Sequence, residues 1–473
     1  MHSRGRRSAL KHAAAAGLTL LVGACKPTPK DHIKGPDSPF AEGALRLDFR
    51  HSVRDGGDAF ELARLRAEPK WGGRVDRLAL APDWGDYRVS LRDSHDTLLF
   101  RAGFDSSLDP AARAATAALS VRTPMPRQPV RAVIEKRRAD RVFQTVWRAA
   151  VDPADRAVDR SAATLTPRVE PLLTSGASAS KVDLAILGDG YAANEYSKFI
   201  SDALRATGYI FSVEPYAQHR QQFNVWSVFA PGAGSGVADR FLGVEKESVF
   251  GSTYGAGAFE RTLAVENTTA LREAASAVPY DYLLVVVNSR RYGGSAHFGG
   301  PAVVAMRSAA AKYLVLHELA HAIAGLAEEY YVPSSDGPAY RGNIEPWHPN
   351  VTLSPNSGKW KDASRAAARQ LDWKKAEYEK QFSDYVRRYE ALRSGRADEA
   401  AIEQLMSEER TRQAALLGRS GNRRRIGLFE GAHGYARGAF RSEVDCIMFS
   451  LQTDYFCAAC TSALERAIEY HIR

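Results

Sequence analysis

The chain has 473 residues, 45% of them hydrophobic and 25% charged, with a formal net charge of +9. That length exceeds one compact core, so two or three domains are expected, and the composition excludes a wholly disordered chain or a protein of many membrane spans. No basic stripe with interleaved aromatics accompanies the charge, so no nucleic-acid partner is expected; Arg137-Arg138 and Arg423-Arg424-Arg425 read as solvated faces.

Residues 1–25 read as a lipoprotein signal peptide. Arg4, Arg6, Arg7 and Lys11 form a basic start, an apolar stretch runs from Ala13 to Val22, and Val22-Gly23-Ala24-Cys25 closes the segment. This order fits a secretory signal and is too short for a stable membrane span. Cys25, preceded by two small residues, is the expected lipidation site and would anchor the chain to a membrane. Loss of the four basic residues would leave +5 on the mature chain. Residues 26–44 form a tether. The expected localisation is that of an exported bacterial cell-envelope lipoprotein, and Lys26 favours the outer membrane over the inner one.

Residues 45–170 predict an all-β sandwich. Leu45–Phe49, Tyr87–Leu91, Leu98–Phe100 and Val130–Ile134 alternate as half-buried strands, with Asp93-Ser-His-Asp96 as a hairpin turn. A small, polar stretch from Leu172 to Lys181 marks a domain boundary. Beyond it, over 181–473, strands alternate with helices: Val182–Leu187, a helical face of Phe199, Ala203 and Leu204, then Phe223–Phe229 and Tyr282–Asn288. That grammar predicts a mixed α/β domain. Gly188-Asp-Gly190 lacks the third glycine of a dinucleotide fingerprint and reads as a tight turn. Residues 362–417 are rich in Ala, Glu, Lys, Arg and Gln and predict an inserted helical hairpin, with Trp373, Tyr378, Phe382, Tyr385 and Tyr389 as a packing stripe.

Apart from Cys25, the cysteines are Cys446, Cys457 and Cys460. In an oxidising envelope the simplest expectation is one disulfide and one leftover thiol. Half of a zinc site is the alternative, but no second Cys/His pair stands at suitable spacing.

Tyr313–Ala324 predicts one helix carrying His317-Glu318-Leu319-Ala320-His321. Histidines four apart project from one face and can share a metal ion, and Glu318 can reach a water beside that ion as general base. Zinc suits this donor set; it would acidify the water and polarise a scissile carbonyl. A third protein ligand is required. Glu328 stands three residues after Gly325, as in the Gly-x-x-ligand step of metzincin peptidases, but their third His is absent and Ala327 occupies its position. Glu328 is therefore the expected third ligand, with Glu329 the alternative or a support for a ligating histidine.

These residues resemble the IgA peptidase family of zinc metallopeptidases. The likeness runs through Val182–Tyr191, His317–His321, Gly325-Leu-Ala-Glu-Glu-Tyr-Tyr331, Glu345-Pro-Trp-His-Pro-Asn-Val-Thr352, Gly427–Ala432, Gly434-Tyr435, Cys446-Ile-Met-Phe449 and Phe456–Cys460. It implies a zincin-type α/β catalytic domain, metzincin-like, preceded by the β-sandwich, with one catalytic Zn2+ and a protein or peptide substrate. It also suggests Met448 for a Met-containing turn beneath the metal. Tyr435 is a candidate to stabilise the transition-state oxyanion, since a phenol can donate to developing negative charge. His433 stays unassigned, and His297 reads as a surface histidine, with a place on the cleft rim as the alternative. Ala324, Phe440-Arg441-Ser442 and the helical insertion depart from the family pattern. The departures bear on substrate choice, and IgA itself is not implied as the target. The rival readings are a catalytically idle zincin-fold surface protein that binds a partner, and a zinc amidase acting on cell-wall material.

Overall fold

The computed structural model describes residues 38–54, 57–74, 76–108, 114–256, 259–331, 333, 344–354, 357–360, 369–419 and 421–472. The expected signal segment, Cys25 and residues 26–37 of the expected tether lie outside them, whereas Phe40–Ala44, also expected in the tether, open the first strand. No helix among the described residues is long and apolar enough to cross a membrane.

The first strands are β1 (Phe40–Arg54), β2 (Gly57–Glu68), β3 (Tyr87–Arg92), β4 (Leu98–Phe104), β5 (Ala114–Pro126), β6 (Val130–Arg137), β7 (Phe143–Val151) and β8 (Val158–Asp159). They form two four-stranded sheets, ordered β5-β1-β2-β8 and β4-β3-β6-β7. Alternation along β1 sends Leu45, Leu47 and Phe49 into the core shared with Val89, Leu91 and Ile134. Arg46, on the opposite face of β1, is also buried, paired with Asp48 at 2.8 Å and Glu68 at 2.7 Å. The sandwich-like sheets of the sequence reading are therefore present, and Asp93 to Asp96 makes the turn between β3 and β4.

β9 (Arg168–Leu173) and β10 (Val182–Asp189) follow, then α1 (Tyr196–Ile210), β11 (Phe223–Phe229), β12 (Ala238–Asp239), β13 (Ser252–Tyr254), β14 (Leu263–Val265), α2 (Thr268–Ala275), β15 (Tyr282–Val287), β16 (Gly294–Ser295), β17 (Ala302–Ala305) and α3 (Ala311–Ala324). The main sheet has the order β16-β17-β15-β10-β11-β9, parallel at its centre and antiparallel at both edges. β10 is buried throughout, as its near-continuous apolar run requires of a central parallel strand. β9 precedes the Ser/Gly/Ala-rich segment where the sequence suggests a boundary, yet it pairs with β11 in this main sheet.

The chain continues through β18 (Val351–Thr352), α4 (Lys375–Ser394), α5 (Glu399–Gly418), β19 (Phe429–Ala432), β20 (Tyr435–Arg441) and α6 (Ala458–Ile472). α4 and α5 pack together, and Tyr378 stacks on Phe382 with ring centroids 5.7 Å apart. α3 packs on β17, α1 and α6. It buries Leu314, Leu316, Leu319 and Ile323, each worth about 1.5–3 kcal/mol relative to exposure. α3 is thus a core helix before it is anything else.

Candidate functional site

α3 is stopped by Gly325, at φ 57°, whose N–H bonds the carbonyl of His321 at 3.0 Å. A Cβ at that position would lie 1.9 Å from the Trp347 ring, so both the left-handed backbone and the close approach call for glycine. The turn sends the chain back past the helix's polar residues. Asn350 clasps the returning segment: its Oδ1 accepts from Ala327 N at 2.8 Å and its Nδ2 donates to Ala327 O at 2.8 Å. The His433 N–H donates to the Glu328 carbonyl at 2.8 Å, and Gly434 N–H to that of Tyr330 at 3.1 Å.

This framework brings Glu328 to His317 and His321. Nδ1 of His317 donates to Ile447 O at 3.1 Å and Nδ1 of His321 to Leu326 O at 2.5 Å. Both Nδ1 protons are thereby fixed, and both Nε2 atoms are left as lone-pair donors toward a metal. The two Nε2 atoms stand 3.1 Å apart, with Glu328 Oε2 3.0 Å from His317 Nε2 and Oε1 3.4 Å from His321 Nε2. Lone pairs converging at that range repel unless a cation or proton sits between them. Two imidazoles and a carboxylate form a donor set suited to zinc, and tetrahedral bonds of about 2.0–2.1 Å would hold such donors about 3.4 Å apart.

The Glu318 carboxyl lies against β16; a Cβ on Gly294 would sit 2.7 Å from Glu318 Oε1. Burial pushes this carboxyl above its usual range, against the pull of His317 and His321. Glu328 shifts the other way. Burial would raise it, but the neighbouring histidines hold it well below the ordinary carboxylate range. Burial likewise disfavours protonated His321, but Glu328 reverses that effect and lifts His321 to about 9. The site therefore strongly favours positive charge at the convergence point.

Glu329 points elsewhere, into a second group with Cys446, Cys457 and Cys460. The expected disulfide is not formed: all three thiols are free and buried, with Cys446 and Cys460 sulfurs 3.8 Å apart. Met448 is buried, and its carbonyl accepts the Glu329 N–H at 2.9 Å. Tyr435 begins β20, partly exposed, with its ring centroid 6.2 Å from that of His433. His297 sits in the turn before Gly300, and burial, then Arg272, lowers it to about 4. His348 donates from Nδ1 to Gly325 O at 2.7 Å and is held near 3 by burial and by His433.

Sequence reasoning did not single out Tyr330, Tyr313 or Arg261. Tyr330 donates its hydroxyl to Glu328 Oε1 at 3.0 Å, and Tyr313 lies against His317 with centroids 4.9 Å apart. Arg261 is raised by Tyr330, Tyr292 and Glu328 despite burial. Tyr330 was within reach of a closer reading, because it adjoins Glu328-Glu329. Arg261 comes from a distant turn without a motif.

Two family models match the chain: IgA Peptidase M64 over residues 170–468 and Peptidase M64 N-terminus over residues 37–148. No curated protein sequence matches it. The first model spans more than half of the chain and contains both histidines and the turn that carries Glu328, so the protein belongs to the IgA Peptidase M64 family and is a metallopeptidase.

Proposed function

We propose that the protein is a zinc-dependent endopeptidase of zincin type, with His317, His321 and Glu328 as metal ligands and Glu318 as general base. The observation that carries this reading is the convergence of two Nε2 lone pairs and one carboxylate beside a second, buried carboxylate. A zinc ion held there would polarise the scissile carbonyl and acidify a water. Glu318 takes the proton of the attacking water and passes it to the leaving amine; its raised carboxyl suits a group that must hold a proton between those events. Ile447 and Leu326 carbonyls keep the two imidazoles in the ligating tautomer. Tyr435, partly exposed at the start of β20 with its ring centroid 6.2 Å from that of His433, is the proposed donor to the oxyanion.

The substrate is a protein or peptide, as it is for peptidases in general. Export through residues 1–25 and lipidation at Cys25, both part of this proposal, would put the action in the bacterial envelope or outside the cell, and α4 and α5 would bear on substrate choice. The test is chelation: removal of zinc should abolish cleavage of an unfolded protein, and zinc should restore it. Tight zinc without cleavage of any peptide library would favour the idle surface protein, and cleavage of cell-wall fragments alone would favour the amidase.

A further inference from the structure

The second group of side chains is built like a site of its own. Glu329, Cys446, Cys457 and Cys460 offer four ligand atoms within 4.8 Å of one another, and all four residues are fully buried. Glu329 Oε1 is 3.1 Å from the Cys460 sulfur and 3.4 Å from that of Cys457. Cys446 and Cys460 sulfurs are 3.8 Å apart. Tetrahedral bonds of about 2.3 Å from one zinc ion to two sulfurs place those sulfurs about 3.8 Å apart, whereas a disulfide needs about 2.05 Å. A disulfide would also use two thiols and leave the third facing a buried carboxylate. Glu329 Oε2 has no hydrogen-bond partner and no solvent, a costly arrangement for a carboxylate without a cation.

Hydrogen-bond donors point at two of the three sulfurs. Backbone N–H groups of Cys457 and Met448 approach the Cys446 sulfur at 3.2 and 3.5 Å, and that of Cys460 approaches the Cys457 sulfur at 3.5 Å. Ser442 adds a hydroxyl to Cys457 at 3.3 Å. Cys457 and Cys460 stand at the start of α6, where unpaired helix N–H groups stabilise negative charge. The buried Arg441 guanidinium supplies a nearby positive charge felt by Glu329.

We propose that Glu329, Cys446, Cys457 and Cys460 bind a second, structural zinc ion. Soft sulfur donors select zinc among common divalent ions, and four protein ligands close the site to substrate. Binding releases the thiol protons and leaves three thiolates and one carboxylate around the ion. Consecutive glutamates then serve different ions: Glu328 the first, Glu329 the second. The ion joins the segment leaving α3 to the segment entering α6. Between them lies the Ile447 carbonyl that orients His317, so the second site would position the first.

Cobalt replacement of zinc in the full chain tests this, because the His317–His321–Glu328 site contains no sulfur. The expected result is thiolate-to-cobalt charge-transfer absorption with tetrahedral d–d bands. Peptide mapping after denaturation in chelator should find Cys446, Cys457 and Cys460 all open to alkylation. The His317→Ala/His321→Ala variant, if folded, should retain one zinc per chain. Absence of the cobalt–thiolate band, or a disulfide among these three cysteines, would overturn the proposal. Neither readout depends on cleavage, so loss of the catalytic reading and loss of this one are separable.

Discussion

Gly294 sets the room available to Glu318. Its missing Cβ would lie 2.7 Å from Oε1 and 3.0 Å from Cγ of that glutamate. Gly294→Ala should therefore displace the proposed base while sparing His317, His321 and Glu328. The expected outcome is a fall in kcat of about 10–100-fold with unchanged zinc content. Steady-state kinetics beside metal analysis checks it, and an unchanged kcat would show that Glu318 has slack. The spacing of His317 and His321 was legible because a helix makes four-residue spacing a spatial fact. Which glutamate faces them was harder to read: Glu328 and Glu329 are neighbours in sequence, and only the paths of Gly325, Asn350 and His433 aim one inward to the histidines and the other to the cysteines. The cysteine–glutamate cluster escaped sequence reasoning for a related reason. Its carboxylate lies 128 residues from the Cys457 sulfur it meets, so no local spacing signals it.

At the scale of elements, the main sheet carries a buried acid that makes stability depend on pH. Asp183 at the start of β10 accepts from Asn224 Nδ2 and Trp226 Nε1, each at 3.0 Å, but its Oδ2 has no hydrogen-bond partner. Burial, with Asp281 nearby, pushes the carboxyl up to about 6. In the unfolded chain it would titrate near 4, so the folded state binds the extra proton between the two values. Stability should fall as pH rises from about 4 to about 6 and then level off, with a penalty of about 3 kcal/mol. Asp183→Asn keeps the acceptor oxygen and removes the charge. It should be more stable than the parent above pH 6 and nearly equal below pH 4, as measured by denaturant midpoints across that range; an equal gain at every pH would contradict the assignment. The element itself was legible, since β10 is an apolar run bounded by turns. β9 was not: Arg168–Leu173 has no apolar run, and its place comes from pairing with β11.

Across the whole molecule, the sandwich is fastened to the peptidase domain by arginines. Arg122 bonds Glu68 at 2.7 Å and the Tyr280 carbonyl at 2.9 Å, and its guanidinium lies 3.8 Å over the Tyr280 ring. Arg64 meets Glu273 at 3.2 Å, and Arg74 reaches the Tyr470 carbonyl at 2.6 Å. Glu68 keeps its pairing with Arg46 when Arg122 is lost, so Arg122→Ala should cost about 1.5–3 kcal/mol, the worth of the charge-assisted hydrogen bonds removed. Denaturant unfolding should register that loss while the folded fraction keeps normal kcat, because Arg122 belongs to the sandwich. A change below about 1 kcal/mol would mean the junction is held by its apolar contacts. The succession of sandwich-like sheets and a mixed α/β part could be read from the change in strand pattern along the chain. Their junction could not, because Arg122, Glu68 and Tyr280 carry no periodicity that announces an interface.

Glu318 is the proposed carrier of the protons of hydrolysis, beside the ion that His317, His321 and Glu328 would hold. Glu318→Gln is nearly isosteric and leaves the ligands in place. Its zinc content should equal that of the unmutated chain, while cleavage of an unfolded protein should fall by about 10²–10⁴-fold. Full zinc content with undiminished cleavage in Glu318→Gln would exclude Glu318 as the base.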